Sequence, residues 1–278
     1  MSPHRPQLVV TRPDRRRGRG QHLSPPPVAA SARELGIASE QPESVNHVDA
    51  RGVIADARPD VVVVCAYGAL IGEPLLEAHP MLNVHPSLLP RWRGAAPIER
   101  AIMAGDQLTG VSIMRLTAGL DSGPVCAQRE EPVLADDTYG TLSPRLAALG
   151  GELLVATLDT SPPCGEQDDS LATHAQKIAA EDRRLDSART AAELERTVRA
   201  LEPHIGAQLE LSGGVLLGIR EARALPSNGA APGRLSLEGR FPVLACREGS
   251  LELGVVQPPG RRAVSGADYL RGLRGRAG

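Results

Sequence analysis

The chain has 278 residues, a formal net charge of −2 at pH 7 and only 2% aromatic residues. This length suits one large or two modest domains, whose core must come mainly from Leu, Val, Ile and Ala. The near-neutral charge excludes a global field that attracts nucleic acid, so any basic surface must be local.

No segment of the sequence has the character of a membrane span or a secretory signal. The longest apolar run, residues 61–66, is too short to cross a bilayer, and the N-terminus lacks the apolar core of a signal peptide. The cysteines, Cys65, Cys126, Cys164 and Cys246, are widely separated, and no pair has metal-ligand spacing. We therefore expect a cytoplasmic protein with reduced thiols, no disulfide and no metal.

The N-terminal part alternates between strand and helix patterns. Leu8 to Val10 predicts a short strand, and the glycine-broken arginine segment 11–22 predicts a mobile loop. Helices are expected at 28–35 and 46–57. The β-branched run 61–65 predicts a strand buried on both faces, as in a parallel sheet.

This order of elements favours a doubly wound, Rossmann-like α/β domain. In such sheets the site lies beyond the carboxyl ends of the strands. Tyr67 and Gly68 follow one predicted strand, and Asn83 and His85 end the next apolar segment. Residues at i and i+2 of an extended chain face the same side, so the Asn83 amide and the His85 imidazole should face one pocket.

The second half of the chain predicts two helices and then a small β-barrel. Helices are expected at 142–158 and after Thr190, which is suited to capping a helix whose apolar face carries Leu194, Val198 and Leu201. Short apolar runs then alternate with Gly, Pro and Asn turns, a pattern typical of a barrel. The predicted strands are 207–211, 215–219, 233–237, 243–246 and 251–256.

Two motifs together carry a family resemblance. Residues 83–97 read NVHPSLLPRWRGAAP, and the loop GLDSGP at 119–124 places Asp121 36 residues after His85. The first string resembles the signature of the folate-dependent formyltransferases, and its extended form is similar to the branch that acts on methionyl-tRNA. The second resembles the loop that supplies the catalytic aspartate of that family.

The resemblance implies a reaction and a site. The formyl group of 10-formyltetrahydrofolate, a co-substrate, would be transferred to the amino group of methionyl initiator tRNA in translation initiation. His85 and the Asn83 amide would hold the oxyanion, and Asp121 would orient His85 and take part in proton transfer. No metal is implied. The residues implied to bind the folate donor are Ser87, Leu88, Leu89, Pro90, Tyr67 and Gly68.

Two basic segments resemble parts of this family that contact tRNA. The segment 13–20 resembles an insertion that contacts the acceptor end, and 254–262 resembles the basic hairpin of an OB-like C-terminal domain. Guanidinium groups suit phosphates because they donate bidentate, charge-assisted hydrogen bonds. The resemblance implies tRNA contacts by Arg15, Arg17, Arg19, Arg261 and Arg262.

The resemblance also predicts the domain organisation. We expect a formyltransferase catalytic domain at 1–166, a linker at 167–186, a β-barrel tRNA-binding domain at 187–278, and a monomer. The family begins with a strand, a glycine-containing turn and a helix that have no counterpart before Leu8. The first domain is therefore expected to be N-terminally truncated, with two strands left unpaired at the position of a central strand.

Two other functions remain open from the sequence. A formyltransferase could act on a small amine, such as a nucleotide or an amino sugar, although the arginine segment and the C-terminal barrel argue against this. Alternatively, a truncated homologue could bind folate or tRNA without turnover. The presence of Asn83, His85 and Asp121 argues against this second alternative, whereas the missing first strand and helix argue for it.

Overall fold

The computed structural model describes residues 3–17, 22–227 and 229–274 of the chain. The chain packs as two compact units. Unit 1 consists of Met1–His85, Val111–Arg129 and Gly150–Ser170, and unit 2 consists of Pro86–Gly110, Glu130–Leu149 and Leu171–Gly278. The predicted domain boundaries at residues 166 and 186 stay predictions.

Strands and helices alternate through the first half, and strands dominate the second. The strands are β1 (Leu8–Val10), β2 (Arg15–Arg17), β3 (His22–Ser24), β4 (Ala38–Glu40), β5 (Val62–Cys65), β6 (Met81–His85), β7 (Arg93–Gly94), β8 (Leu108–Arg115), β9 (Val125–Pro132), β10 (His174–Ala175), β11 (Ala207–Leu211), β12 (Val215–Leu225), β13 (Leu235–Ser236), β14 (Val243–Ala245), β15 (Ser250–Gln257) and β16 (Val264–Ser265). The helices are α1 (Pro27–Glu34), α2 (Val48–Asp56), α3 (Glu73–Ala78), α4 (Pro97–Ala104), α5 (Tyr139–Thr160), α6 (Ala191–Leu201) and α7 (Gly266–Arg274). The predicted α/β fold class with a C-terminal β domain is confirmed.

The sheet that carries the candidate site has the strand order β5-β6-β8-β9. β5 and β6 are parallel, so their carboxyl ends lie at the same edge, whereas β6 and β8 are antiparallel. Val111, Ile113 and Met114 of β8 are buried because this strand has a neighbour on each side. The centre of the sheet is therefore well packed next to β6.

The predicted burial of β5 on both faces is wrong. Val63 of β5 is 39% exposed, and Cys65 is also exposed. Among the described strands, β5 pairs only with β6, and β1 pairs only with β4. These strands lie in two separate sheets, and the expected gap at the position of a central strand stays a prediction. A strand at an open edge keeps side chains in solvent whatever its hydropathy.

The arginine segment is also more regular than the predicted loop. β2 and β3 form an antiparallel pair in which Arg15 lies opposite Ser24 and Arg16 lies opposite Leu23. Long polar side chains are compatible with a short two-stranded ribbon because both of its faces can remain in water. Residues 18–21, between β2 and β3 in the sequence, lie outside the described residues.

The prediction of reduced thiols is wrong for one pair of cysteines. Cys126 and Cys164 form a disulfide, with their Cα atoms 3.9 Å apart. Sequence spacing did not reveal it because the pairing depends on an antiparallel bridge between the neighbouring residues Val125 and Gly165. Cys65 and Cys246 are free thiols, and burial raises the pKa of the Cys246 thiol.

The C-terminal sheet of unit 2 has the order β11-β12-β15-β14-β13, with β16 on β15. Leu251, Leu253 and Val256 of β15 are fully buried. Helix α6 covers this sheet with Leu194, Val198 and Leu201, as predicted. Thr190 caps α6: its hydroxyl accepts from the Glu193 N–H, and the Glu193 carboxylate accepts from the Thr190 N–H.

No helix among the described residues is long and apolar enough to cross a membrane. No group of three or more His, Cys, Asp or Glu side chains in the same residues could hold a metal ion.

Candidate active site

Strand β6 places the two predicted polar side chains on one buried face. Its residues alternate between buried and half-buried positions, and Asn83 and His85 occupy buried ones, with 9% and 4% of their surface exposed. A strand has this two-residue period, so the sequence motif Asn-Val-His fixes the common orientation. The prediction that both side chains face one side is confirmed.

Asp121 lies beside both of these side chains. The Asn83 amide nitrogen donates to Asp121 Oδ1 at 3.2 Å. His85 Nδ1 lies 3.7 Å from Asp121 Oδ2, and the Asp121 side chain is 14% exposed. The structure thus brings the three predicted catalytic residues together from β6 and from the loop after β8.

This trio contains the groups needed for acyl transfer. Asp121 lies on the Nδ1 side of the His85 ring, so Nε2 is the ring nitrogen farther from this carboxylate. The amide nitrogen of Asn83 carries two hydrogens, and the bond to Asp121 uses one of them. An imidazole and an amide side by side can together stabilise negative charge on a carbonyl oxygen.

Sequence reasoning missed Gln167, which supports the loop that carries Asp121. Gln167 donates from Nε2 to the backbone oxygens of Asp121 at 2.9 Å and Gly123 at 2.7 Å. Ser112 of β8 lies directly opposite His85 and accepts from Gln128 at 2.9 Å. Gln167 falls in the predicted linker and belongs to no motif, so only the tertiary structure reveals its contacts.

Tyr67 and Gly68 follow β5 at the same sheet edge as the end of β6. The Tyr67 hydroxyl accepts from the Val45 N–H at 3.4 Å, which fixes the ring beside the segment before α2. Gly68 has a positive φ of 43°, and a Cβ there would meet no atom within 4 Å. Open space therefore lies next to Gly68 at the end of β5.

The SLLP loop follows His85 in the sequence and belongs to unit 2. Ser87 is fully buried and donates to the carbonyl oxygen of Arg91 at 2.6 Å. Leu89 is also buried, whereas Leu88 and Pro90 are half-buried. The loop is thus held from inside by Ser87 and Leu89, and Leu88 and Pro90 are its more accessible residues.

The RWRG string after this loop is fixed by one carboxylate. Asp106 accepts two hydrogen bonds from Arg91, at 2.8 and 2.6 Å, and a third from the Trp92 indole at 2.8 Å. These bonds raise the pKa of the Arg91 guanidinium above its ordinary value. Arg91 and Trp92 therefore stabilise the conformation of the loop in which they lie.

The predicted tRNA-binding arginines have different surroundings. Arg15 is exposed on β2, and Arg261 and Arg262 are exposed in the turn between β15 and β16. Arg17 is in β2, but its side chain is not described, and Arg19 lies outside the described residues. The two segments belong to different units, and their tRNA contacts remain predictions.

Two family models match most of the chain. The family described as "Formyl transferase" matches residues 4–158, and "Formyl transferase, C-terminal domain" matches residues 177–274. The chain belongs to the formyl transferase family, a family of enzymes.

Two relatives with high sequence identity are methionyl-tRNA formyltransferases. The methionyl-tRNA formyltransferase of Paracoccus denitrificans (strain Pd 1222) is 44% identical over 273 residues, covering 97% of this chain and 90% of the relative. The methionyl-tRNA formyltransferase of Pseudomonas paraeruginosa (strain DSM 24068 / PA7) is 42% identical over 280 residues, covering 98% and 90%.

Solved structures support the fold. HypX from Aquifex aeolicus in complex with tetrahydrofolic acid has a TM-score of 0.61 at 17% identity, covering 95% of this chain and 46% of that protein. Methionyl-tRNA formyltransferase from Clostridium thermocellum has a TM-score of 0.59 at 16% identity, covering 80% of this chain and 94% of that protein.

Proposed function

We propose that this chain transfers the formyl group of 10-formyltetrahydrofolate to the amino group of methionyl initiator tRNA. The observation that carries the proposal is the contact of Asp121 with both Asn83 and His85, in a chain 44% identical to a methionyl-tRNA formyltransferase. We further propose that the protein acts in the cytoplasm as a monomer and uses no metal.

The loops of unit 1 fit a planar, partly apolar co-substrate. Leu70 after β5 is 80% exposed, and Leu120, next to Asp121, is 62% exposed. Apolar side chains at such positions suit the face of a heteroaromatic ring. Gly68 leaves open space at the end of β5. Within unit 2, Leu88 and Pro90 are the half-buried residues of the SLLP loop, and Ser87 and Leu89 fix the loop.

The donor supplies an activated formyl group, and the chain supplies charge stabilisation and proton transfer. His85, through Nε2, and the Asn83 amide hydrogen-bond the formyl oxygen and stabilise the negative charge that develops there. Asp121 holds the imidazole by its Nδ1 side and balances its positive charge. A new bond joins the amino nitrogen to the formyl carbon, the bond to the folate nitrogen breaks, and the amine proton passes to the leaving nitrogen through the His85–Asp121 pair.

The exposed arginines supply local positive charge for the tRNA. Arg15 on β2 and Arg261 and Arg262 in the β15–β16 turn are accessible to phosphates. Arg17 and Arg19 lie in the same basic segment of the sequence as Arg15. The formal net charge of −2 makes these local groups the expected source of affinity, which should fall steeply with salt.

A comparison of acceptors tests the proposed function. The purified full chain is given 10-formyltetrahydrofolate and, in separate reactions, methionyl initiator tRNA, glycinamide ribonucleotide or an amino-sugar nucleotide. We expect transfer to methionyl-tRNA with a kcat/KM about a hundredfold or more above that for either small amine.

Two outcomes would overturn the proposal. Faster transfer to a small amine would identify a different acceptor class. Binding of folate and tRNA, measured by fluorescence and filter retention, without transfer to any acceptor would identify a binding protein. The uncharged initiator tRNA is the control, because it has the same phosphates but lacks the acceptor amine.

A further inference from the structure

We propose that Gln167 is a positioning residue that holds the Asp121 carboxylate at His85 and Asn83. The inference rests on the proposed formyl transfer and extends its machinery to a glutamine outside both family motifs. Gln167 does not touch the reacting atoms in this assignment. It acts on the backbone of the loop that carries Asp121.

The Asp121 loop has a conformation that needs external support. Asp121 has a φ of 47°, in the left-handed region that residues with a side chain rarely adopt. At Gly123 a Cβ would lie 2.0 Å from the Arg115 carbonyl oxygen, so the loop passes close to the end of β8. The side chain of Asp121 therefore reaches Asn83 and His85 from a strained, closely packed turn. If this turn relaxed, the carboxylate would move away from both residues.

Gln167 provides that support through a single amide group. Its Nε2 donates to Asp121 O at 2.9 Å and to Gly123 O at 2.7 Å, which uses both hydrogens of the nitrogen. The two carbonyls lie on either side of Ser122. One side chain thus fixes the spacing and orientation of the backbone on which the carboxylate is mounted.

The segment that carries Gln167 is itself fixed by two links. Val125 and Gly165 exchange backbone hydrogen bonds of 2.8 and 2.9 Å. The adjacent residues Cys126, which follows Val125, and Cys164, which precedes Gly165, are joined by the disulfide. Gln167 lies only two residues beyond Gly165, so these links set the position of its side chain relative to the Asp121 loop.

The alternative is that Gln167 only stabilises a loop. The two roles differ in their dependence on Asp121. A positioning residue loses most of its effect once the carboxylate is removed, whereas a residue that supports the fold affects every variant equally. A double-mutant cycle between Gln167 and Asp121 therefore separates the roles.

The experiment measures kcat and KM for Gln167→Met, Asp121→Asn and the double variant, using 10-formyltetrahydrofolate and methionyl initiator tRNA. We expect Gln167→Met to lower kcat about a hundredfold with either KM within about threefold, because small displacements of a catalytic group have effects of that size. In the Asp121→Asn background we expect the same change to lower kcat less than about threefold.

Two further variants keep the test decisive. Gln167→Glu has the same size but places an anionic acceptor against two carbonyl oxygens, so it should lose kcat as Gln167→Met does. Glu166→Gln alters the exposed neighbour and should match the wild type. Thermal unfolding of each variant identifies any that fail to fold. If Gln167→Met fails to fold, the kcat of the isosteric Gln167→Glu variant tests the positioning role.

Each result bears on one claim. If the wild type is active and the kcat of Gln167→Met or Gln167→Glu stays within twofold of it, the positioning role is overturned and the proposed function stays intact. An equal loss in both backgrounds, or a rise in KM alone, would also overturn it. An inactive wild type would overturn the proposed function itself.

Discussion

Strands β5 and β15 contain similar apolar residues and yet differ in burial. β5 reads VVVC and has one hydrogen-bonded neighbour among the described strands, β6. β15 reads SLELGVVQ and pairs with β12, β14 and β16. Val63 of β5 is 39% exposed, whereas Val256 of β15 is fully buried.

The neighbours of a strand, more than its own hydropathy, determine which of its side chains are buried. Helix α6 also covers the C-terminal sheet, whereas β5 presents Val63 to solvent at an open edge. The candidate site nevertheless keeps its geometry beside that open edge. Its fixed points are β6, the buried β8 and the hydrogen bonds of Gln167, and none of them depends on β5 being enclosed.

Truncating a matched pair of valines tests the comparison directly. We expect Val256→Ala to lower the free energy of unfolding by about 2 kcal/mol, because it leaves a cavity in a packed core. Val63→Ala should cost about 0.5 kcal/mol, since much of that side chain is already in water. Native-state hydrogen exchange of the amides in β15 and β5 measures each change within its own unit.

The same pair of variants can also show that β5 and β15 do not differ in burial. An equal loss for both valines would mean that β5 is enclosed in solution. Leu253→Ala, at a second fully buried position of β15, is the control, and it should cost about 3 kcal/mol.

A smaller electrostatic effect sharpens the comparison within unit 2. Arg100 of α4 donates to both carboxylate oxygens of Asp182, at 2.8 and 2.7 Å. These bonds, with one from the Ala179 N–H, hold the pKa of Asp182 below its usual range despite partial burial. Asp182→Asn should therefore lower the free energy of unfolding by about 1 kcal/mol at pH 7.

The sign of the pH dependence follows from the lowered pKa. The stabilisation by Asp182 is complete above the unfolded pKa of about 3.9, and it is lost as the pH falls through the lower folded value. The gap between wild type and Asp182→Asn should thus close below about pH 4 in denaturant titrations. A difference in the free energy of unfolding that stays constant down to pH 2 would rule out the Arg100–Asp182 ion pair as its source. Asp136→Asn, at an exposed carboxylate, serves as the control.

The local parts of the structure could be predicted from the sequence. The period of β6 puts Asn83 and His85 on one face, and Thr190 with Glu193 marks the start of α6. The family resemblance added Asp121. These features depend on neighbouring residues or on an intact motif, so a single sequence contains the necessary information.

The features that the sequence did not reveal depend on distant pairing. The exposure of β5 reflects its single neighbour, and the Cys126–Cys164 disulfide depends on a bridge between residues 125 and 165. The contacts of Gln167 span more than forty positions along the chain. Pattern and spacing contain no signal for such contacts.

The most direct test of the account is single-turnover formyl transfer by the wild type and by His85→Ala. Enzyme in excess over methionyl initiator tRNA is mixed with 10-formyltetrahydrofolate, and formylmethionyl-tRNA is followed by rapid quench. We predict that the wild type completes the transfer and that His85→Ala slows it at least about a thousandfold with tRNA binding unchanged. A His85→Ala rate within a few fold of the wild type would contradict the assignment of this site.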